Sequence, residues 1–235
     1  PEDGYFRLQL YQGRTPRGLI KLDAARQGKM TTDNSYHFIR DEAGRVIAVA
    51  IGTDTSNEVF VYDLYNLPED RGECQLFRRF RGHSADVTSV SQTVDRRYLV
   101  TGSADGTVRY WKLQGLTENI FIRRWGIEVR IAKGGKGLEV TRCEDSSPLF
   151  QKGVRVGDVI AKVIWPEEQR GVFRNLSTVE PDLMFKQLYA QDWSTQFGIV
   201  IRRGDATWKP FNVTAGWYNL LAVFAYQDEW IAWHP

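Results

Sequence analysis

Gly82-His83-Ser-Ala-Asp-Val-Thr-Ser-Val-Ser-Gln-Thr-Val-Asp-Arg-Arg-Tyr98-Leu-Val-Thr101-Gly-Ser-Ala-Asp105-Gly-Thr-Val-Arg-Tyr-Trp111-Lys-Leu113 is the stretch that decides the fold. Its second half reads as two short strands around a tight turn. Asp105-Gly106 supplies the turn's backbone freedom, and β-branched and aromatic residues flank it. Working outward, Phe6 to Tyr11, Gly18 to Leu22, Val46 to Ile51 and Glu58 to Tyr62 alternate in the same way, punctuated by Gly, Asp and Asn. No segment before residue 120 keeps a helical period, so this region reads as all-β.

The quoted stretch resembles a blade of the WD-repeat β-propellers, through its Gly-His pair, its Asp-Gly turn and the Trp that ends the third strand. The resemblance implies a buried hydrogen-bonded tetrad of His83, Thr101, Asp105 and Trp111. A buried imidazole and a buried indole N–H each need a partner, and a satisfied network holds strand register. A degenerate copy spans Tyr36 to Leu64. It lacks the Gly-His pair and carries Tyr62 in the place of the Trp. Residues 5–22 match the tail of a still earlier blade. Propellers close with about four to eight blades, so further blades or a second chain are expected to complete this one.

After Leu116 the character changes. Gly126 to Ile131 reads as a strand and Lys133-Gly-Gly-Lys-Gly137 as a turn, which lacks the Gly-Lys-Ser/Thr of a phosphate loop. Then follow Leu138 to Cys143, Ser147-Pro148, a short turn to Gly153, and Gly157-Asp158-Val-Ile160. A helix is predicted from Pro181 to Ala190, with Pro181 in its first turn and Leu183, Met184, Gln187 and Leu188 on one face. Residues 122–204 resemble the PDZ domains of bacterial high-temperature-requirement proteases. Trp165 to Asn175 departs from that pattern, inserting a loop where a short turn is usual.

The PDZ resemblance implies that an extended peptide adds to an open strand edge while a loop of N–H donors captures its terminal carboxylate. By alignment the loop is Arg124, Trp125, Gly126 and Ile127. The receiving strand runs from Ile127 to Val129, and Met184 and Leu188 face it. Either a foreign peptide or the chain's own loop or C-terminal hairpin is expected in this groove. Trp217, Phe224, Trp230 and Trp233 crowd the last segment, which reads as a hairpin packed where the two domains meet. Its ending, Glu229 to Pro235, resembles the junction in bacterial caspase-family proteins that carry WD repeats. The expected organisation is therefore incomplete propeller blades over 1–117, a PDZ-like α+β domain over 118–210, and an aromatic hairpin or linker over 211–235. The fold class is mainly β.

The 235 residues carry 31 Lys and Arg against 29 Asp and Glu, a formal charge of +2 too small to indicate nucleic acid. Apolar runs such as Leu220 to Tyr226 fall far below the ~20 residues of a membrane span. Cys74 and Cys143 make neither a disulfide framework nor a metal cluster, and His37 and His234 lack ligand spacing. No cofactor or metal is expected, and Asn175-Leu-Ser177 and Asn212-Val-Thr214 read as chance glycosylation triplets. The first residues form no signal peptide, and a cytoplasmic location is expected. His83 with Asp105 imitates a catalytic pair but reads as structural. The expected function is a non-catalytic scaffold for a peptide, a protein or another domain of the same polypeptide, as the regulatory portion of a larger bacterial caspase-like protease. A cysteine peptidase using Cys74 or Cys143 is the alternative. A third reading is single-stranded RNA binding through Arg78-Arg79-Phe80-Arg81, Arg123-Arg124-Trp125 and Arg202-Arg203.

Overall fold

The computed structural model describes residues 3–65, 67, 72–118, 124–135, 137–164, 174–175, 197–207, 211–213, 216–226 and 229–233. The chain divides into two compact units: Pro1–Thr117 with Trp217–Pro235, and Glu118–Gly216.

The first unit begins with a two-stranded antiparallel sheet, β1 (Tyr5–Gln12) and β2 (Thr15–Asp23). The next four strands pair consecutively and antiparallel: β3 (Tyr36–Arg40), β4 (Val46–Gly52), β5 (Val59–Asp63) and β6 (Leu76–Arg81). All of β5 and all of β4 after Val46 are buried. The alternation expected of these segments from sequence is therefore not an inside–outside one: both faces of the two strands are buried. A second sheet repeats the order with β7 (Val87–Gln92), β8 (Tyr98–Ser103) and β9 (Thr107–Lys112). The β8–β9 turn forms because Gly106 takes φ +78° while Asp105 Oδ1 accepts from Thr107 N at 2.9 Å. The two blades are tied at their inner strands. Gln92 on β7 accepts from Arg40 N (2.9 Å) and donates to Arg40 O (2.8 Å), and Val90 N donates to Asn34 O (2.9 Å).

The second unit is a seven-stranded sheet. It contains β10 (Ile127–Ile131), β11 (Leu138–Cys143), the short helix α1 (Pro148–Gln151), β12 (Val159–Ile164), β13 (Arg174–Asn175), β14 (Phe197–Arg203), β15 (Ala206–Thr207) and β16 (Phe211–Val213). The order runs β10-β11-β12-β14-β15, with β13 on β12 and β16 on β14. Ser147-Pro148 starts α1 for a local reason: Ser147 Oγ accepts from Phe150 N at 3.2 Å, and Pro148 occupies the first turn, where its missing N–H costs nothing. Gly157-Asp158 also has a physical role. The buried Asp158 carboxylate takes both ends of the Arg203 guanidinium (2.6 and 2.8 Å) and Arg155 N (2.8 Å), tying β14 to the turn before β12. The helix predicted over residues 181–190, with Met184 and Leu188, lies outside the described residues, as does most of the loop after Trp165.

The chain then returns to the first unit as β17 (Trp217–Tyr218), β18 (Leu221–Tyr226) and β19 (Glu229–Trp233). β17 lies parallel to β6. β18 and β19 form the antiparallel hairpin expected of the aromatic tail. β18 also pairs with β9, so the second blade reads β7-β8-β9-β18 with β19 outside it. The sequence reading set residues 211–235 apart, whereas Trp217–Pro235 groups with Pro1–Thr117. The reason is backbone pairing: the outer edge of β9 takes its next strand from beyond the second unit. The side chains of Trp230 and Trp233 lie outside the described residues.

Candidate functional site

The structure brings His83, Thr101, Asp105 and Trp111 into one chain of hydrogen bonds. Trp111 Nε1 donates to Thr101 Oγ1 (2.9 Å), Thr101 Oγ1 meets His83 Nε2 (2.7 Å), and His83 Nδ1 meets Asp105 Oδ2 (2.9 Å). The indole has only a donor and the carboxylate only acceptors, so the protons run one way, with a neutral imidazole protonated on Nδ1. Trp111 and Thr101 are fully buried. Burial lowers the His83 pKa, and Asp105 only partly offsets it. Burial also opposes the charge on Asp105, but Thr107, the Ser84 N–H and His83 together overcome it and hold the carboxyl well below its ordinary range. The imidazole is committed at both nitrogens, so this pair is a register lock and leaves no lone pair for catalysis.

Three further residues extend the tetrad. Thr107 Oγ1 donates to Asp105 Oδ1 (2.6 Å), Arg109 Nε donates to Thr107 Oγ1 (3.2 Å), and Arg109 Nη1 reaches Asn219 Oδ1 (3.1 Å). Thr107 was legible two residues after the turn Asp. Asn219 had no local signal, because in sequence it lies beyond the whole second unit.

Arg78 sits in the basic, aromatic-rich cluster on which the third, nucleic-acid reading rests, and its surroundings weigh against that reading. Arg78, Arg79 and Phe80 are all buried. The Arg78 guanidinium donates to Lys112 O (3.4 Å) and Gln114 O (2.9 Å) and stacks 3.7 Å from the ring of the buried Trp217. It thereby holds the leg of chain leaving the blade and the leg returning to it. Such a side chain offers no stacking platform to a base.

In the second unit, Trp125 and Ile127 belong to the apolar core with Leu138, Val140 and Ile201, and Val129 packs against it. Their side chains face inward, so recognition by this segment would run through the backbone. Arg124 is buried too, its guanidinium 5.7 Å from the Trp125 ring. Gly126 sits at φ +67°, where a Cβ is strained, and its carbonyl accepts from Glu144 N at 2.7 Å. β10 bonds to β11 on one side and ends the strand order among the described residues. Arg174–Asn175 pairs with β12, and β17, β18 and β19 pair within the first unit. Met184 and Leu188, expected to face this strand, lie outside the described residues.

The thiols are poorly suited to nucleophilic work. Burial, then the nearby carboxylates, pushes Cys74 up to about 11, and burial likewise pushes Cys143 up to about 11. The reactive species is the thiolate, which is scarce at neutral pH under those conditions. Among the described residues no group of three or more His, Cys, Asp or Glu is placed to hold a metal ion, and no helix is long and apolar enough to cross a membrane.

The family model of the WD domain, G-beta repeat, matches residues 74–112. This segment thus matches one WD repeat. It covers β6 to β9 and contains the whole tetrad. The Jouberin proteins of Rattus norvegicus and Mus musculus are each 33% identical to this chain over 94 residues, 40% of this chain and 8% of theirs. The chain thus spans under a tenth of the length of the curated relatives it matches. Among solved structures, Chaetomium thermophilum Sqt1 bound to the N-terminus of ribosomal protein L10 is 12% identical, covering 92% of this chain and 46% of that one, with a TM-score of 0.31. The Myceliophteria thermophila Cps50 (Swd1) β-propeller domain is 18% identical, covering 85% and 65%, with a TM-score of 0.26.

Proposed function

We propose that this chain is a non-catalytic interaction scaffold whose second unit, PDZ-like in plan, receives an extended peptide or protein terminus on the outer edge of β10. The observation that carries this reading is the edge itself. Ile127–Ile131 has one hydrogen-bonded neighbour among the described strands, and it is entered through a glycine at positive φ that lets a ligand backbone approach closely. Unpaired strand N–H and C=O groups are the chemistry that an added strand satisfies. The WD40 repeat supports the same class of function, since its polar groups are spent on holding the blade and not on a reaction. The perturbed Cys74 and Cys143 thiols weigh against a cysteine peptidase.

A finer reading makes this the regulatory portion of a larger bacterial caspase-like protease in the cytoplasm. It rests on the Glu229 to Pro235 stretch alone, and the complete reading frame tests it by whether a His/Cys domain follows.

The peptide reading is tested by titrating the whole chain with a library of nine-residue peptides, each with a free or an amidated C-terminus, while recording amide shifts. Binding that shifts the β10 amides and weakens on amidation supports it. Saturating peptide that leaves Ile127 to Ile131 unmoved removes it.

A further inference from the structure

The two faces of β10 differ, and the difference specifies a ligand. Ile127 and Val129 turn toward the core of the second unit, and Ile131 continues that face into solvent at 59% exposure. Glu128 and Arg130 occupy the other face. On β11, Arg142 stands across from Glu128 and Glu139 across from Arg130. The Arg130–Glu139 pair is self-contained, with two hydrogen bonds of 2.7 and 3.1 Å.

The Glu128–Arg142 pair is not self-contained. Arg142 is shared by three carboxylates, and its best contacts go elsewhere: Glu144 at 2.5 Å and Glu118 at 2.8 Å, against 3.8 Å to Glu128. Glu128 is therefore the least compensated of the three. It stands on the strand that ends the sheet among the described residues, with its side chain 41% exposed. A strand added to that edge would set one of its own side chains directly beside Glu128, opposite Arg142. Side chains at such lateral positions interact by charge.

We infer that Glu128 selects a basic residue in the bound peptide, and that this residue is the penultimate one. This rests on the peptide-receiving reading of β10. The register follows from alternation. A terminal carboxylate held at Gly126 and Ile127 puts the last side chain on the Ile127–Val129 face, so the one before it falls on the Glu128 face. The ligand is thus an extended segment ending in Lys or Arg followed by an apolar residue. A second apolar residue precedes the basic one and lies toward Ile131.

The test uses the full chain and a phage library with randomised free C-termini, followed by titration of two synthetic nonapeptides that differ only in penultimate Lys or Glu. The expected result is enrichment of Lys and Arg at that position and a three- to tenfold affinity advantage for the Lys peptide, which shrinks in high salt as exposed ion pairs do (about threefold to tenfold being the scale of one or two such pairs). Glu128→Lys should invert the preference and Glu128→Gln should abolish it, with circular dichroism confirming that both variants fold. Peptides that bind at β10 with equal affinity whichever charge they carry overturn the inference and leave the proposed function standing. A preference unchanged in Glu128→Lys overturns it in the same way. If no sequence is enriched and neither peptide binds, the peptide-receiving reading itself is lost, and the inference with it.

Discussion

The two blades of the first unit have the same strand order and hold it by different means. In the second blade the register is locked by polar groups internal to the sheet: Trp111, Thr101, His83 and Asp105 each satisfy the next. In the first blade Tyr62 stands where Trp111 would, and its hydroxyl looks outward, accepting from Gln27 Nε2 (3.0 Å) and donating to Lys21 O (3.3 Å) beside β2. Ile51, buried across from Phe60, takes the position that Thr101 holds across from Arg109. Apolar packing of β4 and β5 replaces the polar lock. The fourth strands differ as well. β6 follows β5 locally, whereas β18 reaches β9 only after the second unit has been traversed. The fourth strand of the second blade, coming from far along the chain, carries a loop-closure cost that β6 does not. That blade's internal lock and the Arg78–Trp217 clasp both act against that cost.

The comparison is broken most sharply at Trp111. Trp111→Ala removes a fully buried indole and should cost about 3–5 kcal/mol in a urea titration, enough to unfold the second blade. Tyr62→Phe, which removes only a hydroxyl with two partners, should cost about 1–2 kcal/mol. Equal losses from the two would mean that the Tyr62 hydroxyl matters to the first blade as much as the entire Trp111 side chain does to the second.

Arg78 tests the nonlocal strand. Arg78→Leu leaves Trp217 without its stacked cation and two carbonyls without their donor, a loss of about 2–4 kcal/mol. Hydrogen exchange should then accelerate at Leu221 to Phe224 while β4 and β5 amides keep their protection. Uniform acceleration through both blades would show that Arg78 serves the unit as a whole and not the returning strand.

Thr101→Val is nearly isosteric yet orphans His83 Nε2 and the Trp111 N–H, at a cost of about 1–3 kcal/mol. The smallest effect is the dependence on pH. His83 is held below its unfolded value near 6.5, chiefly by burial, so the unfolded chain takes up the proton first. The stability it confers is complete above about pH 6.5 and declines as the pH falls. Loss of the Asp105 contribution follows only in stronger acid, as the pH falls below the unfolded value of a carboxyl group. His37, half-buried and depressed by burial and then by Arg40, acts in the same direction in the first blade. His83→Gln should flatten the decline between pH 7 and 5 more than His37→Gln does, as followed by thermal melts. The reverse order would put the acid-sensitive group in the wrong blade.

Much of this was legible in the residues because the relevant physics is local. The strands of residues 5–112 announce themselves by alternation and by turn residues. The tetrad is readable because its members lie within one repeat, where backbone spacing determines which side chains meet. Ser147-Pro148 and Gly157-Asp158 stood out only as parts of a motif; the helix cap and the buried carboxylate they make became visible in the structure.

Arg78 was ambiguous because a basic residue beside aromatics has one appearance in sequence whether it faces solvent or stacks on a buried indole. Asn219 and Trp217 gave no sign of their partners for a similar reason: those partners lie beyond an entire folded unit. The sequence alone determined that Leu220 to Trp233 would make a hairpin, since turn chemistry and alternation are short-range properties. Only the tertiary structure decided that this hairpin would complete a blade begun before residue 113. The edge of β9 and the Arg78 side chain that receives Trp217 come together only in the folded first unit, whose two segments are far apart in sequence.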